Sequence, residues 1–136
     1  MPVRGIGVDV IQVARLVQSL ERFGERMEKR LFTTGERDYC RTHKDPLPHL
    51  AARFAAKEAA TKALGSGLSL GVRWRDLEVC RERGQAPRLV LHGRARELGL
   101  ARGGRHMLLA LTHDGDYALA QAMLVDDDPH RAPATR

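Results

Sequence analysis

The fold of this chain is decided by the stretch LAARFAAKEAATKAL, which runs from Leu50 to Leu64. Its many alanines and its regularly spaced apolar residues predict one helix, in which each residue advances by about 100°. On that helix Glu58 falls on an apolar flank, with Phe54 on one side and Ala55 on the other. A carboxylate at such a position costs desolvation energy unless a cation satisfies it.

Two kinds of cation are candidates for Glu58. Lys62 lies one turn further along the same helix, and ion pairs with this i,i+4 spacing are common. A metal ion is the alternative, because Arg53, Lys57 and Thr61 form a neighbouring row that suits the phosphate groups of a metal-bound substrate. Spacing alone favours the pair with Lys62.

A second acid, Asp9, also stands where acids are uncommon. The segment from Val3 to Val13 is rich in Val, Ile and Gly, as strands are, whereas Asp is depleted in strands. The two faces of this predicted strand carry Ile6, Val8 and Val10 on one side, and Gly5, Gly7, Asp9 and Ile11 on the other. Two carboxylates are too few for Ca²⁺ but suit Mg²⁺, which takes its other ligands from water and phosphate. Taken alone, Asp9 is equally consistent with a turn or cap residue.

Composition limits the class of protein. The chain has 136 residues, of which 43% are hydrophobic, which is typical of one folded domain. It has no apolar run long enough to cross a bilayer and no leader sequence at its start, so we expect a cytoplasmic protein with two free cysteines, Cys40 and Cys80. The net charge of +6 favours an anionic partner, which leaves nucleic acid, a phosphate-rich ligand and an acidic protein open.

The rest of the sequence predicts a mixture of helices and antiparallel strands. We expect a helix over residues 14–30, a short helix capped by Thr34 that ends at Tyr39, and a loop over residues 43–48. The glycines of Gly65-Ser66-Gly67 are expected to end the central helix. The remaining expected elements are strands at 77–80 and 88–91, a helix at 93–100, and a hairpin of 107–112 with 117–125 turning at Asp114-Gly115.

Two further features are candidates for binding. Arg15, Arg22 and Arg26 lie on one face of the first predicted helix and suit an acidic partner, although a solvated charged face is the default interpretation. His113 ends a strand beside a tight turn, where side chains often reach a site. A single histidine at such a place is more often an ordinary surface residue.

Four segments taken together resemble the holo-[acyl-carrier-protein] synthases. They are 5–10 followed by Arg15, 32–40, 50–59 with 62–64, and 111–114 with Tyr117 and Ala118. Their order and spacing hold from Arg4 to Val125, which predicts a single domain over residues 1–125 and a disordered tail over residues 126–136. One departure is Ala110, at a position where the family often has a serine, and it weakens the case for polar contacts around His113.

The resemblance implies a fold and an activity. It implies an α+β fold, mainly an antiparallel sheet packed against a long helix, assembled as a homotrimer with sites at the subunit interfaces. It also implies a 4'-phosphopantetheinyl transferase of fatty acid biosynthesis. Such an enzyme uses Mg²⁺ to move the phosphopantetheine arm of coenzyme A onto a serine of apo acyl carrier protein, and it releases adenosine 3',5'-bisphosphate. Neither nucleic acid nor a membrane is then expected as a partner.

The resemblance also assigns roles to residues. Asp9 and Glu58 match the metal ligands, and Arg15, extended by Arg22 and Arg26, matches the surface that meets the carrier protein. The positions that match contacts to coenzyme A are Arg53, Lys57, Thr61, Lys62, Gly65 and His113. In the mechanism that this implies, Lys62 offsets phosphate charge and Glu58 takes the proton of the serine. A water molecule held by Asp114 is the alternative base.

Two other classes of function compete with this one. A basic module that binds nucleic acid or an acidic protein without catalysis explains the net charge and the arginines of the first helix. It gives no reason for acids at apolar positions, because carboxylates repel phosphates unless a metal lies between them. A structural oligomer in which Asp9 and Glu58 pair with lysines is the other alternative.

Overall fold

Five antiparallel strands form a sheet in the computed structural model, which describes residues 2–65, 67–82 and 84–126. The strands are β1 (Val3–Gln12), β2 (Leu77–Cys80), β3 (Arg88–Leu91), β4 (His106–Asp114) and β5 (Tyr117–Val125), in the spatial order β1-β5-β4-β3-β2. The helices are α1 (Val13–Leu31), α2 (Thr34–Arg41), α3 (Leu47–Leu64) and α4 (Gly93–Ala101). This arrangement confirms the predicted α+β fold with an antiparallel sheet against a long helix.

The central helix α3 packs closely on the sheet because small residues line both sides of the contact. The α3 alanines that face the sheet are fully buried, as are Ala118, Ala120 and Ala122 of β5. On β1, a Cβ added at Gly5 or Gly7 would overlap the carbonyl oxygen of Ala63 or Ala59, respectively. The strand therefore approaches the helix backbone to a distance that only glycine allows.

The starts of α2 and α3 differ from the sequence predictions. The residue that caps α2 is Thr33, not Thr34, because Thr33 and Glu36 form a reciprocal capping box. Helix α3 begins at Leu47, inside the predicted loop, since a proline such as Pro48 is compatible with the first turn of a helix. The predicted tail at 126–136 lies outside the described residues except for Asp126, whose N–H donates to the carbonyl of Pro2 over 3.3 Å.

Helix α1 is broken by a kink that the sequence did not predict. Gly24 has φ 70° and ψ −157°, a conformation that is essentially restricted to glycine. The kink separates Arg26 from Arg15 and Arg22, so the three arginines do not lie along one straight helix face.

The outer face of the sheet, opposite α3, is apolar and exposed. Ile6, Val8 and Val10 of β1 are 56%, 55% and 57% exposed, and Leu119 of β5 beside Val10 is 40% exposed. An exposed apolar surface of this extent marks an interaction site in a protein. Among the described residues, no helix has the length and apolar character needed to span a lipid bilayer.

Candidate active site

Asp9 lies on the glycine face of β1, directly against α3. Because Gly5 and Gly7 let the helix approach, Asp9 reaches Lys62, whose ammonium lies 3.1 Å from Asp9 Oδ1. The same ammonium donates to the carbonyl of Val8 over 3.0 Å. The second carboxylate oxygen of Asp9, Oδ2, is buried and has no hydrogen-bond partner among the described residues.

Glu58 lies beside this pair, in the next turn of α3 toward the helix start. Burial raises the pKa of Glu58, and the negative charge of Asp9 raises it further, while Lys62 opposes both effects. Within the described residues, Lys62 forms its ion pair with Asp9 and not with Glu58. The prediction of an ion pair between Glu58 and Lys62, which their spacing favoured, is therefore wrong.

The two carboxylates fit a hard divalent cation. One ammonium lies beside two acids, and one carboxylate oxygen of Asp9 has no partner among the described residues. Burial, and then the negative charge of Asp9, raise the pKa of Glu58. No cluster of three or more metal-ligating side chains occurs in the described part of the chain. A cation bound here would therefore keep several ligands from water or substrate, as Mg²⁺ does.

A second polar cluster surrounds Arg53, a residue that is only 2% exposed. Its guanidinium lies over the ring of Tyr39, 4.4 Å from the centroid, and donates to the carbonyl of His49 over 3.2 Å. The Nε of Arg53 is buried and has no partner among the described residues. A pocket of about 200 Å³ opens beside it, and its polar lining residues are His49, Arg53, Arg81, Thr112 and His113. This pocket suits an anion.

The prediction that Lys57 contacts coenzyme A is not supported by this structure. Lys57 is fully buried, and its ammonium lies 2.7 Å from Glu36 and donates to the carbonyl of Trp74 over 2.9 Å. Glu36 also accepts from the backbone N–H groups of Thr33 and Val79. Burial lowers the pKa of Lys57, although Glu36 opposes this shift. Lys57 thus ties α2, α3 and β2 together and does not face a ligand.

Comparison with known proteins places the chain in a family. The family model of the 4'-phosphopantetheinyl transferase superfamily matches residues 5–122. The chain belongs to this superfamily. A holo-[acyl-carrier-protein] synthase from Koribacter versatilis is 44% identical over 122 residues, which cover 90% of this chain and 98% of the relative. One from Syntrophotalea carbinolica is 48% identical over 116 residues, covering 85% and 91%.

Solved structures agree with the family. The crystal structure of Helicobacter pylori holo-[acyl-carrier-protein] synthase in complex with coenzyme A matches with a TM-score of 0.76 and 26% identity, covering 88% of this chain and 98% of that one. The chain is therefore an enzyme of the holo-[acyl-carrier-protein] synthase type within its superfamily.

Two of the residues that the family resemblance assigns to coenzyme A, Thr61 and Gly65, lie at the end of α3. Thr61 uses its hydroxyl hydrogen within the helix, where it donates to the carbonyl of Glu58 over 2.7 Å. Gly65 ends α3 in the left-handed conformation with φ 86°. The guanidinium of Arg102 lies against Gly65 and donates to the carbonyl of Arg4 over 3.4 Å. Arg102 thus adds a positive charge near this end of the helix.

Asp114 is not placed beside Glu58 in a single subunit. Asp9 and Leu111 both pair with Ala120 of β5, so Leu111 marks the level of Asp9 on β4. Asp114 lies three residues further along, and side chains alternate along a strand, so it faces the other side of the sheet from Leu111. Its predicted role as the holder of a catalytic water is therefore not supported within one chain.

The same alternation separates Ala110 from His113. Because these residues are three positions apart on β4, their side chains lie on opposite faces of the sheet. The substitution of the family's serine by Ala110 therefore does not weaken the pocket around His113.

The arginines of α1 lie on an exposed surface. No described carboxylate pairs with Arg15, Arg22 or Arg26, and the Arg22 guanidinium lies 5.2 Å from the centroid of the Phe23 ring. By contrast, two acids of the same helix are already paired, since Glu25 and Glu28 form ion pairs with basic residues of α1 and α2. The exposed basic surface of α1 therefore has no internal counterpart.

Three residues near the candidate sites were missed by sequence reasoning. They are His49, Arg81 and Arg102. No motif marks Arg81 or Arg102, because each reaches its place through the folding of a distant segment. His49 lies between the predicted loop at 43–48 and the helix predicted to begin at Leu50, so its place on the helix of Arg53 was not predicted.

Proposed function

We propose that the protein transfers the 4'-phosphopantetheine arm of coenzyme A to a serine of apo acyl carrier protein, with Mg²⁺, in fatty acid biosynthesis. The observation that carries this proposal is the unpartnered oxygen of Asp9 beside the incompletely neutralised Glu58. The names of the relatives and the coenzyme A complex of the Helicobacter pylori synthase support the choice of substrates.

Asp9 and Glu58 would hold the magnesium ion, which would neutralise charge on the pyrophosphate of coenzyme A. Lys62, held in place by Val8 and Asp9, offsets further negative charge on the transferred phosphate. The serine oxygen forms a bond to the β-phosphorus, and the bond from that phosphorus to the oxygen bridging the two phosphates breaks. The raised pKa of Glu58 suits a proton acceptor, and Glu58 takes the serine proton.

The carrier protein is proposed to bind at the exposed basic surface of α1. Arg15, Arg22 and Arg26 present positive charge that no described acid neutralises. Complementary charge of this kind steers an acidic partner and fixes its register. Arg15 lies nearest to β1, since it lines a groove with Val10 and Gln12.

A homotrimer with sites at the subunit interfaces is proposed as the working form, with residues 1–125 as its single domain. The apolar outer face of the sheet, with Ile6, Val8 and Val10 each more than half exposed, supports association. Native mass spectrometry of the full chain tests it: a trimer mass is expected, and a monomer at micromolar concentration contradicts it.

The activity is tested by weighing apo acyl carrier protein after incubation with the enzyme, coenzyme A and Mg²⁺. We expect the carrier to gain one phosphopantetheine, and we expect EDTA to prevent the gain. No gain in the presence of a working control synthase would sink the transferase proposal. Salt-sensitive DNA binding without turnover would instead support the basic-module alternative.

A further inference from the structure

Helix α1 consists of two helical segments that meet at Gly24. The first segment, residues 13–23, carries Arg22, and the second segment, residues 25–31, carries Arg26. Because Gly24 has φ 70° and ψ −157°, the regular hydrogen-bond pattern of the helix is interrupted there. The first segment therefore does not dictate the direction of the second one, and contacts from elsewhere in the fold must set it.

Arg37 of α2 makes such contacts with the second segment. Its guanidinium lies 3.4 Å from a carboxylate oxygen of Glu25 and 3.3 Å from a carboxylate oxygen of Glu28. Residues three apart lie next to each other on the surface of a helix, so the two acids form one anionic face. Arg37 is only 8% exposed, so a largely buried cation joins this face to α2. Such a pair adds little net stability but can specify one arrangement of the elements that it joins.

Helix α2 is itself fixed to the core of the domain. Glu36, which precedes Arg37 in the sequence, is 1% exposed and lies 2.7 Å from the ammonium of Lys57 on α3. Glu36 also accepts a hydrogen bond from the backbone N–H of Val79 on β2 over 2.8 Å. Two consecutive residues of α2 thus link the core to the second segment of α1.

The direction of the second segment determines the shape of a groove on the protein surface. The groove is a cavity of about 410 Å³ that spans the break in α1. Its lining residues are Phe23 from the first segment, Arg26, Met27, Arg30 and Leu31 from the second, and Trp74, which precedes β2. A groove that combines apolar and basic side chains suits an acidic amphipathic helix of a partner protein.

Resting on the proposed function, we propose that Arg37 is a positioning residue for the acyl carrier protein. By holding Glu25 and Glu28 it sets the direction of the second segment, and with it the place of Arg26 relative to Arg22. Arg37 is buried and acts on the carrier through these residues. A surface that is already arranged for its partner binds more tightly than one that must be ordered on binding. Neither the metal site nor the binding of coenzyme A depends on this arrangement.

The variant Arg37→Met separates a positioning role from a stabilising one. Both acids keep another basic partner in this variant, since Lys29 lies 3.3 Å from Glu25 and Arg41 lies 3.1 Å from Glu28. Replacement of a buried charge by an apolar side chain is often neutral for stability when no charge is left unpaired. The urea midpoint of Arg37→Met is therefore expected to stay close to that of the wild type.

The experiment is steady-state kinetics of carrier modification by the full chain, with coenzyme A and Mg²⁺ at low salt. Arg37→Met is expected to raise KM for the carrier protein about fivefold, a size typical of coupling within one ion-pair network. Its KM for coenzyme A and its kcat are expected to be unchanged. Arg94→Met is the matched control, because it removes an ion pair with Glu97 on α4, and it is expected to change neither KM.

A double-mutant cycle assigns the effect to the ion pairs of Arg37. In a protein that carries Glu25→Gln and Glu28→Gln, Arg37 has no acid of the second segment left to hold. Adding Arg37→Met to this protein is expected to change the carrier KM by less than about twofold. An undiminished effect would show that Arg37 acts through its charge alone, and it would overturn the positioning role.

Trp74 reports on the groove without any carrier protein. It is the only tryptophan in the chain, and it lines the groove opposite the second segment's residues. Without Arg37 the second segment is held less firmly, so the ring of Trp74 is uncovered more often. Arg37→Met is therefore expected to increase the quenching of Trp74 fluorescence by acrylamide, and Arg94→Met is expected to leave it unchanged.

The outcomes distinguish this proposal from the transferase proposal. In an active enzyme, a wild-type carrier KM or wild-type Trp74 quenching in Arg37→Met would overturn the positioning role alone. A lowered urea midpoint, with kcat and both KM values changed together, would show a purely structural role and would overturn it as well. A wild type that does not modify the carrier would overturn both proposals.

Discussion

Replacement of Gly7 by alanine tests the contact on which the site depends. A Cβ at Gly7 would overlap the carbonyl oxygen of Ala59 and would lie 2.8 Å from the N atom of Ala63 and 2.9 Å from Cβ of Lys62. Two of these neighbours are helix backbone, which cannot turn aside as a flexible side chain does. Overpacking of one methyl group costs about 1–3 kcal/mol, and a rigid neighbour puts the cost near about 3 kcal/mol. The higher strand propensity of alanine offsets less than about 1 kcal/mol of this.

Urea unfolding at a fixed protomer concentration measures the loss for Gly7→Ala. With a slope of about 1.5 kcal/mol per molar, the midpoint is expected to fall by about 2 M. Gly35→Ala on α2 is the matched control, because a Cβ there meets nothing nearer than 3.6 Å. It is expected to be neutral or slightly stabilising.

The surviving folded Gly7→Ala protein is also expected to lose activity. Moving β1 away from α3 shifts Asp9 relative to Glu58, and a displacement of about 1 Å in a catalytic arrangement costs about a hundredfold in rate. A Gly7→Ala variant with the unfolding free energy and the activity of the wild type would refute the claim that glycine sets the distance between the two acids.

Three further predictions concern charges. Lys57→Met is expected to destabilise the fold by about 3–5 kcal/mol, since it leaves the Glu36 carboxylate buried and unpaired, and adding Glu36→Gln is expected to restore part of the loss. Glu58→Gln is expected to be more stable than the wild type at neutral pH without divalent cation. The pKa of Glu58 is raised on folding, so the folded chain holds more protons than the unfolded chain. The stability of the wild type therefore falls as pH rises through the interval between the unfolded and folded pKa values. Arg15→Glu and Arg22→Glu together are expected to raise KM for the carrier protein about tenfold at low salt, with an unchanged KM for coenzyme A.

Each of these three has its own contradicting result. Urea unfolding of Lys57→Met with a wild-type midpoint would show that the buried pair is dispensable. Glu58→Gln would contradict the charge argument if it were less stable than the wild type at every pH without cation. A carrier KM that rises equally with Arg96→Glu on α4 would show that net charge, and not the α1 surface, governs the carrier interaction.

The parts of the fold that the sequence predicted are those with a local signal. The alternation of Gly5, Gly7 and Asp9 with Val8 and Val10 predicted two distinct faces of β1, and the structure keeps these faces apart. The sequence did not predict that the glycine face is the one that meets the helix. The hairpin of β4 and β5 was marked by its turn residues. Such patterns are decided by neighbours in the chain, so they survive in a single sequence.

The errors arose where a distant residue decides the environment. Lys57 has the helical position of a ligand-binding residue, but Glu36 from another helix captures its ammonium. In the same way, Asp9 from β1 takes Lys62 from Glu58. The kink at Gly24 was also missed, because a glycine within an amphipathic pattern does not by itself predict a break.

The most direct test of the account is the Mg²⁺ dependence of carrier modification, measured as initial rate for the wild type, Asp9→Asn, Glu58→Gln and the exposed control Asp38→Asn. The wild type and Asp38→Asn are expected to saturate at the same Mg²⁺ concentration. Asp9→Asn and Glu58→Gln are expected to require at least about tenfold more Mg²⁺ or to show no turnover, because each removes one of two protein ligands. Wild-type half-saturation in either of these variants would contradict the claim that the two acids on the glycine-lined contact form the cation site.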